Sequence, residues 1–271
     1  YFNAGMHGDI MQWILQLAKD KAIEISSIEL SVINHYWLTG SFVSGTGHGH
    51  SEPPDINVSI QSPAPSAQIN DLVQEALQKS AVISYLNQQL HNTFAIYANG
   101  RRRTVIDLND STANDIEDPF QVRLTAPSPA AGYVTSDTIH KLTTKVDGEV
   151  VLASASPNGK VLRNIHGKSK WVAGASTIDV DTYLELAGAS HFNFKVSVLE
   201  TNRQYPSGFT LLCAGITFCF MTQLSRYIEN MKMPIAGLRV VQDSSYQIHN
   251  GHAVASSLDT HLFINGTADD A

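Results

Sequence analysis

The chain has 271 residues, of which 43% are hydrophobic and only 16% are charged, with a net charge of -7 at pH 7. The negative charge disfavours a general nucleic-acid-binding protein, because phosphate contacts require clustered Lys and Arg. The charged fraction is below the roughly 25% typical of soluble domains, so we expect much of the surface to be buried against a partner or a second copy. The longest near-apolar run, residues 209–221, is shorter than the ~20 residues of a membrane span, and no basic region precedes an apolar start. The sequence therefore predicts neither a membrane span nor a signal peptide.

The beginning of the chain predicts a helix followed by a strand. Apolar residues recur there along one helix face: Met6, Ile10, Trp13, Ile14 and Leu17. The alternating stretch IELSV, residues 28–32, predicts the strand. The amphipathic stretch QINDLVQEALQKS after Ser66 predicts a further helix with that serine as its N-cap.

The segment GTGHGH, residues 45–50, follows the predicted strand. His48 and His50 are possible metal ligands, but two histidines lack the further ligands that zinc requires. A flexible glycine-rich loop is the favoured interpretation, and no metal or cofactor is predicted. Further along, GRRR at residues 100–103 is interpreted as a solvated turn.

The sequence contains an internal repeat. Residues 4–36 align without a gap on residues 214–246 at an offset of 210, and the stretch from Asp55 aligns on the stretch from Asp259 at an offset of 204. The difference of six residues is assigned to a longer loop in the first copy. We expect the same helix–strand unit in both copies, and we expect the chain to start inside one repeat and to end inside the other.

The repeat divides the chain into three predicted parts. The first repeat spans residues 1–108, a linker rich in Asn, Asp, Ser and Pro spans residues 109–132, and the second repeat spans residues 133–271. The second copy lacks the helix that follows Ser66 in the first copy. Residues 130–205 are rich in strand patterns and precede the second long helix.

Both cysteines lie in the second apolar helix. Cys213 and Cys219 point about 120° apart on an ideal helix, so they are not expected to pair, and a reducing, cytoplasmic setting is predicted. Cys219, Gln223 and Arg226 follow one another at i, i+4 and i+7 on one face. This arrangement indicates either a reactive thiol with polar neighbours or a core cysteine on a helix that reaches solvent at Gln223 and Arg226. Cys213 is interpreted as a packing residue.

Asp9 lies next to the apolar face of the first helix, where an unpaired carboxylate is costly. Three interpretations remain open. The carboxylate could pair with an arginine of the second repeat, it could act beside Cys219, or it could reach solvent or cap a turn.

The stretch AGITFCF, residues 214–220, opens a long apolar helix that a strand follows, and it resembles the OsmC/Ohr family of hydroperoxide-resistance proteins. Members carry an Ala-Ala-Gly-x-x-x-Cys-like run whose cysteine is peroxidatic, and the matching residues here are Ala214, Gly215 and Cys219. The resemblance implies an α+β fold of two OsmC-like repeats that form an internal pseudo-dimer. The central helices, 5–21 and 209–231, are then expected to pack against each other within antiparallel sheets.

The resemblance also implies an activity, the thiol-dependent reduction of organic hydroperoxides, with Cys219 as the peroxidatic residue and an external thiol as reductant. It places the family's second, resolving cysteine at Ser80, and Asp9 stands where the second repeat has Cys219. The family's catalytic Glu falls at Phe209. The alternative is a non-catalytic protein of the same fold that binds a small apolar ligand or serves as an assembly scaffold.

Overall fold

The structure is a computed structural model that describes residues 1–40, 46–121, 138–147, 161–199 and 204–267. It is a mixed α+β fold. The contacts between residues divide the chain into two compact units. The first contains residues 1–83 and 134–212, and the second contains residues 84–133 and 213–271. Each unit thus combines two separate stretches of chain, whereas the predicted repeats are contiguous in sequence.

The helices and strands are numbered in chain order. They are α1 (Phe2–Asp20), β1 (Ser27–Thr39), β2 (His48–Gln61), α2 (Ser66–Lys79), α3 (Ala81–Asn87), β3 (Asn92–Ala98), β4 (Arg101–Arg103), β5 (Ile139–Lys145), β6 (Val161–Leu162), β7 (Ile165–Val172), β8 (Thr177–Leu184), β9 (Ser190–Ser197), α4 (Gly208–Asn230), β10 (Ile235–Asp243), β11 (Tyr246–His249), β12 (His252–Ala255) and β13 (Leu258–Gly266). The predicted helix and strand at each of the two repeat positions are confirmed.

The first unit is built on an antiparallel sheet with the strand order β2-β1-β7-β8-β9-β5. Helix α1 packs on this sheet and on α2. Met6, Ile10 and Ile14 are fully buried, as the periodicity predicts, while Trp13 is only half-buried. The apolar face of α1 is therefore part of the core of this unit, and burial of its apolar side chains stabilises the unit.

Glycines allow α1 to approach the beginning of α4 closely. A Cβ on Gly208 would overlap the backbone nitrogen of Asp9 and would lie 2.5 Å from the carbonyl oxygen of Gly5. A Cβ on Gly5 would lie 2.8 Å from the carbonyl oxygen of Gly208. The two helices thus meet backbone to backbone at a point where only glycine fits.

The second unit contains a four-stranded sheet with the order β10-β13-β3-β4 and the hairpin β11-β12. Strands β13 and β3 are parallel. Ala95, Tyr97 and Phe263 form a buried apolar cluster on this sheet. The chain after β4 runs along the sheet, since the backbone of Phe94 exchanges hydrogen bonds with Asn109 and Ser111.

Two arginines hold the described part of the predicted linker, residues 109–121. Arg102 lies on β4 rather than in the predicted solvated turn, and it forms ion pairs with Asp110 at 3.3 Å and with Asp115 at 2.8 Å. The Nε–H of Arg239 donates to Asp118 at 2.9 Å. The described residues of this segment are therefore anchored to the second unit.

The ends of α1 and α4 share an unusual backbone conformation at the offset of 210. Ala22 and Lys232 both adopt a left-handed conformation with φ of 51°, although neither is glycine. The N–H of Ile23 donates to Ala18 at 2.8 Å, and the N–H of Met233 donates to Ile228 at 3.0 Å. Both helices thus end in the same Schellman-type turn.

The hairpins that follow the two helices also share one register. In the first hairpin β1 pairs with β2; in the second, β10 pairs with β13 and β11 pairs with β12. An offset of 210 on the first strand and of 204 on the returning strand converts each pair of the first hairpin into a pair of the second. The matching pairs are Ile28–Ile60 and Leu238–Ile264, Ile33–Asp55 and Asp243–Asp259, and Tyr36–Ser51 and Tyr246–Ala255. The second hairpin closes with the two-residue turn Asn250-Gly251, in which both φ values are positive. In the first hairpin the last pair is Thr39–His48, so eight residues separate the two strands instead of two. The six extra residues thus overlap the predicted loop GTGHGH only at residues 45–47, because the rest of that segment belongs to β2.

The residues of α4 are mostly exposed or half-buried. Its buried residues are Gly208, Leu211 and Leu212, whereas Phe218 and Tyr227 are exposed. Helix α4 has 23 residues, which makes it longer than the apolar stretch recognised in the sequence, and by length and composition it is able to cross a membrane. Length and composition alone do not distinguish a membrane span from a helix that packs on protein.

Candidate functional site

Asp9 is the buried carboxylate of the first unit, with 3% of its surface exposed. The hydroxyl of Ser80 donates to Asp9 Oδ2 at 2.5 Å, and the backbone N–H of Val82 donates to the same oxygen at 3.1 Å. Ser80 directly precedes α3, and its Oγ accepts the N–H of Ile83 at 3.1 Å. The carboxylate therefore sits at the beginning of α3 and satisfies groups that helix formation leaves unpaired.

Burial determines the protonation of Asp9. Removal from water raises the pKa of this carboxyl from 3.8 to about 6, although the hydrogen bonds from Ser80 and from the backbone of Val82 and Ala81 oppose the rise. Burial excludes solvent exposure of Asp9, and its described partners do not include an arginine. Its hydrogen bonds from Ser80 and Val82 agree with the interpretation that it caps a turn.

The contact between Asp9 and Ser80 joins two positions that the family resemblance singles out. The resemblance predicted the peroxidatic position of the first repeat at Asp9 and the resolving position at Ser80. Their side chains are hydrogen bonded although they lie 71 residues apart in sequence. In the first repeat a carboxyl–hydroxyl pair thus stands where the family would place two thiols.

A second polar cluster on α1 was missed by the sequence analysis. His7 is fully buried, its Nδ1 lies 2.6 Å from the hydroxyl of Ser169, and burial lowers the pKa of the imidazole to about 3, so it is neutral. Asn3 donates to the side chain of Asn34 at 2.9 Å. A Cβ on Gly167 would overlap the side chain of Asn3. The polar residues Asn3 and His7 within the apolar stretch of α1 were the available signal.

This cluster pairs a hydroxyl with an imidazole, which is the arrangement of an activated nucleophile. Ser169 is only 8% exposed and His7 has no exposed surface. A substrate would need access to both groups, so the pair is interpreted as a polar link between α1 and β7.

The predicted catalytic residues of the second repeat lie on the exposed part of α4. Cys219, Gln223 and Arg226 are all exposed. Among the residues that the structure describes, none forms a hydrogen bond or an ion pair with these three side chains. The exposure of Gln223 and Arg226 agrees with the interpretation that the helix reaches solvent there.

Cys213 has a different environment from Cys219. It is half-buried, and burial raises the pKa of its thiol, while the hydroxyl of Ser244 beside it acts in the opposite direction. A raised pKa keeps the thiol protonated near neutral pH, which disfavours nucleophilic chemistry. Cys213 and Ser244 occupy the positions of Asn3 and Asn34 in the first repeat, so this helix–strand contact recurs with other residues.

The interpretation of His48 and His50 as loop residues was wrong, because both lie on β2. The ring of His50 stacks on Trp37 with 5.2 Å between the ring centroids, and its Nε2 lies 3.0 Å from the hydroxyl of Thr39. The extended pairing of β1 with β2 places them there. Gly45, the first residue of the segment, lies outside the described residues.

Comparisons with protein-family models, curated proteins and solved structures find no match to this chain. The likeness to the OsmC/Ohr family therefore rests on the sequence residues Ala214, Gly215 and Cys219 and on the internal repeat.

Proposed function

We propose that this chain is an OsmC/Ohr-like protein in which two repeats form an internal pseudo-dimer, and that Cys219 of the second repeat reduces organic hydroperoxides. The observation that carries the proposal is the contact between Asp9 and Ser80. The resemblance and the internal repeat assigned these residues to the two thiol positions of the family, and their side chains meet in the buried core of the first unit.

The shared backbone geometry supports the transfer of this argument to the second repeat. The helix ends and the hairpin registers of the two repeats agree at the offsets found in the sequence. Cys219 therefore occupies on α4 the position that Asp9 occupies on α1. In the proposed assignment the first repeat has lost its redox chemistry and the second has kept one thiol.

The proposed reaction needs one protein thiol and one external reductant. The thiolate of Cys219 attacks the hydroperoxide and breaks its O–O bond. One oxygen stays on the sulfur as a sulfenic acid, and the other leaves with a proton as an alcohol. Two external thiols then reduce the sulfenic acid to the thiol, with release of water and formation of their disulfide. No cofactor or metal takes part in this scheme.

A second candidate is a non-catalytic protein of the same fold that serves as a scaffold or binds a small apolar ligand. The exposure of Cys219 favours it, because a reactive thiol requires a nearby cation or N–H donors that stabilise the thiolate. Among the described residues, no such group bonds to this sulfur.

The consumption of cumene hydroperoxide in the presence of a dithiol separates the two candidates. The peroxidase proposal predicts that Cys219→Ser abolishes peroxide consumption and that Cys213→Ser retains it. Cys213 is the matched control, because it is the same residue type but lies outside the proposed peroxidatic position. A sulfenic-acid reagent added after one equivalent of peroxide should label Cys219 alone. If the parent protein consumes peroxide no faster than the dithiol in buffer, the non-catalytic function stands.

A further inference from the structure

A cluster of metal-ligating side chains lies in the second unit, away from both cysteines in sequence. One ligand atom each of Asp243, Asp259 and His261 lies within 4.8 Å of the other two. Asp243 ends β10 and pairs directly with Asp259 on β13. His261 lies two residues further along β13, so its side chain leaves the same face of the sheet as that of Asp259.

The two inner ligands are held in place by neighbouring side chains. The hydroxyls of Thr93 and Ser111 donate to Asp259 at 2.6 and 2.9 Å, one to each carboxylate oxygen. His261 is fully buried, and its Nδ1 lies 3.1 Å from the hydroxyl of Tyr97. A hydrogen bond at Nδ1 orients the ring so that Nε2 faces Asp259, at 3.1 Å. Such outer contacts are typical of metal-binding histidines and carboxylates.

The charges of the cluster favour a cation. Two carboxylates face each other across one strand pair, which destabilises a sheet unless their charge is neutralised. Among the described residues, no Lys or Arg forms an ion pair with Asp243 or Asp259, and His261 is the only ion-pair partner of Asp259. Asp243 is exposed, so the cluster is open to solvent on one side.

The first repeat shows that the cluster is specific to the second. At the matching positions it carries Ile33, Asp55 and Asn57, of which only the aspartate is retained. The shared fold therefore does not require Asp243 or His261.

We propose that Asp243, Asp259 and His261 bind a divalent transition-metal ion of the Zn²⁺ type, with water at the remaining positions. One imidazole nitrogen and two carboxylate oxygens form the three-ligand set with an open position that zinc accepts. The imidazole selects this class over Mg²⁺ and Ca²⁺, which prefer oxygen ligands alone. The site is independent of the proposed peroxide chemistry of Cys219.

The test is calorimetric titration with Zn²⁺ in a Cys213→Ser/Cys219→Ser background, so that the thiols cannot bind the metal. We expect one ion per chain and at least a tenfold weaker affinity for Asp243→Asn, whose side chain is exposed and is not needed for folding. His261→Asn takes the residue of the first repeat and should also lose binding. Asp55→Asn, at the position equivalent to Asp259 in the first repeat, is the matched control and should bind as the background does.

Titration with Co²⁺ provides a second measurement, because the intensity of its visible absorption reports a low coordination number with a nitrogen ligand. Tyr97→Phe should weaken Co²⁺ binding about tenfold, since the hydroxyl, which also donates to Asp115, orients His261 without being a ligand itself. Equal Zn²⁺ affinity of the background and Asp243→Asn, or a loss of binding in Asp55→Asn instead, would overturn the proposal.

Discussion

The buried carboxyl of Asp9 makes a quantitative prediction about stability and pH. Its pKa is about 6 in the folded protein and 3.8 when it is exposed. Because the folded-state value is the higher one, the ionised form destabilises the fold, and the free energy of unfolding falls as the pH rises from about 4 to about 6. A difference of about two pKa units corresponds to about 3 kcal/mol, which is lost in full above the folded-state pKa.

Asp9→Asn removes this titration while it keeps an oxygen that accepts from Ser80 and Val82. Any constant cost of the amide cancels when the two proteins are compared at two pH values. We expect the stability of the variant relative to the parent to increase by about 2–3 kcal/mol between about pH 4 and about pH 7.5. Urea unfolding at both pH values measures this difference.

Asp71→Asn is the matched control, because Asp71 is an exposed aspartate on α2 of the same unit. Its stability relative to the parent should stay within about 0.5 kcal/mol at both pH values. A pH-independent difference between Asp9→Asn and the parent would refute the assignment of a buried, destabilising carboxylate.

Three further predictions concern the helix crossing and the two thiol positions. Gly208→Ala should destabilise the protein by at least about 2 kcal/mol in thermal or urea unfolding, because its Cβ overlaps the backbone of α1. The control Gly49→Ala should change stability little, because its Cβ would contact only one side chain. Equal effects of the two variants would contradict the close helix contact. The double variant Asp9→Cys/Ser80→Cys has four thiols, since Cys213 and Cys219 remain. Mild oxidation should form one disulfide between the two new cysteines and leave two free thiols, seen by thiol counting and mass spectrometry, and four free thiols would contradict the predicted equivalence to a thiol pair. Excess peroxide should convert Cys219 to sulfinic acid, because no second thiol is expected to resolve the sulfenic acid, and a Cys219 that stays unmodified in mass spectra would speak against its reactivity.

The sequence predicted the elements and their repetition better than it predicted the polar contacts. The spacing of Met6, Ile10 and Ile14 was sufficient to locate the buried face of α1, because a helix repeats its faces every 3.6 residues. The two alignment offsets, which were found in the sequence, recur in the strand pairing of both hairpins. A shift of one residue would have turned every side chain to the other face of the sheet.

The partners of polar residues could not be predicted in the same way. Asp9 is bonded to Ser80, 71 residues away, and His7 to Ser169, 162 residues away. Such contacts depend on how separate stretches of chain fold into one unit, and no local periodicity encodes that. The histidines of GTGHGH were misplaced because a glycine-rich composition indicates a loop even where the strand pairing extends through it.

The central claim is that Cys219 is a peroxidatic thiol, and single-turnover labelling tests it most directly. The protein would be mixed with one equivalent of cumene hydroperoxide, trapped with a sulfenic-acid reagent and mapped by mass spectrometry. The account predicts label on Cys219 and none on Cys213, because burial keeps the thiol of Cys213 protonated. Peroxide that remains unconsumed, with both cysteines unlabelled, would contradict it.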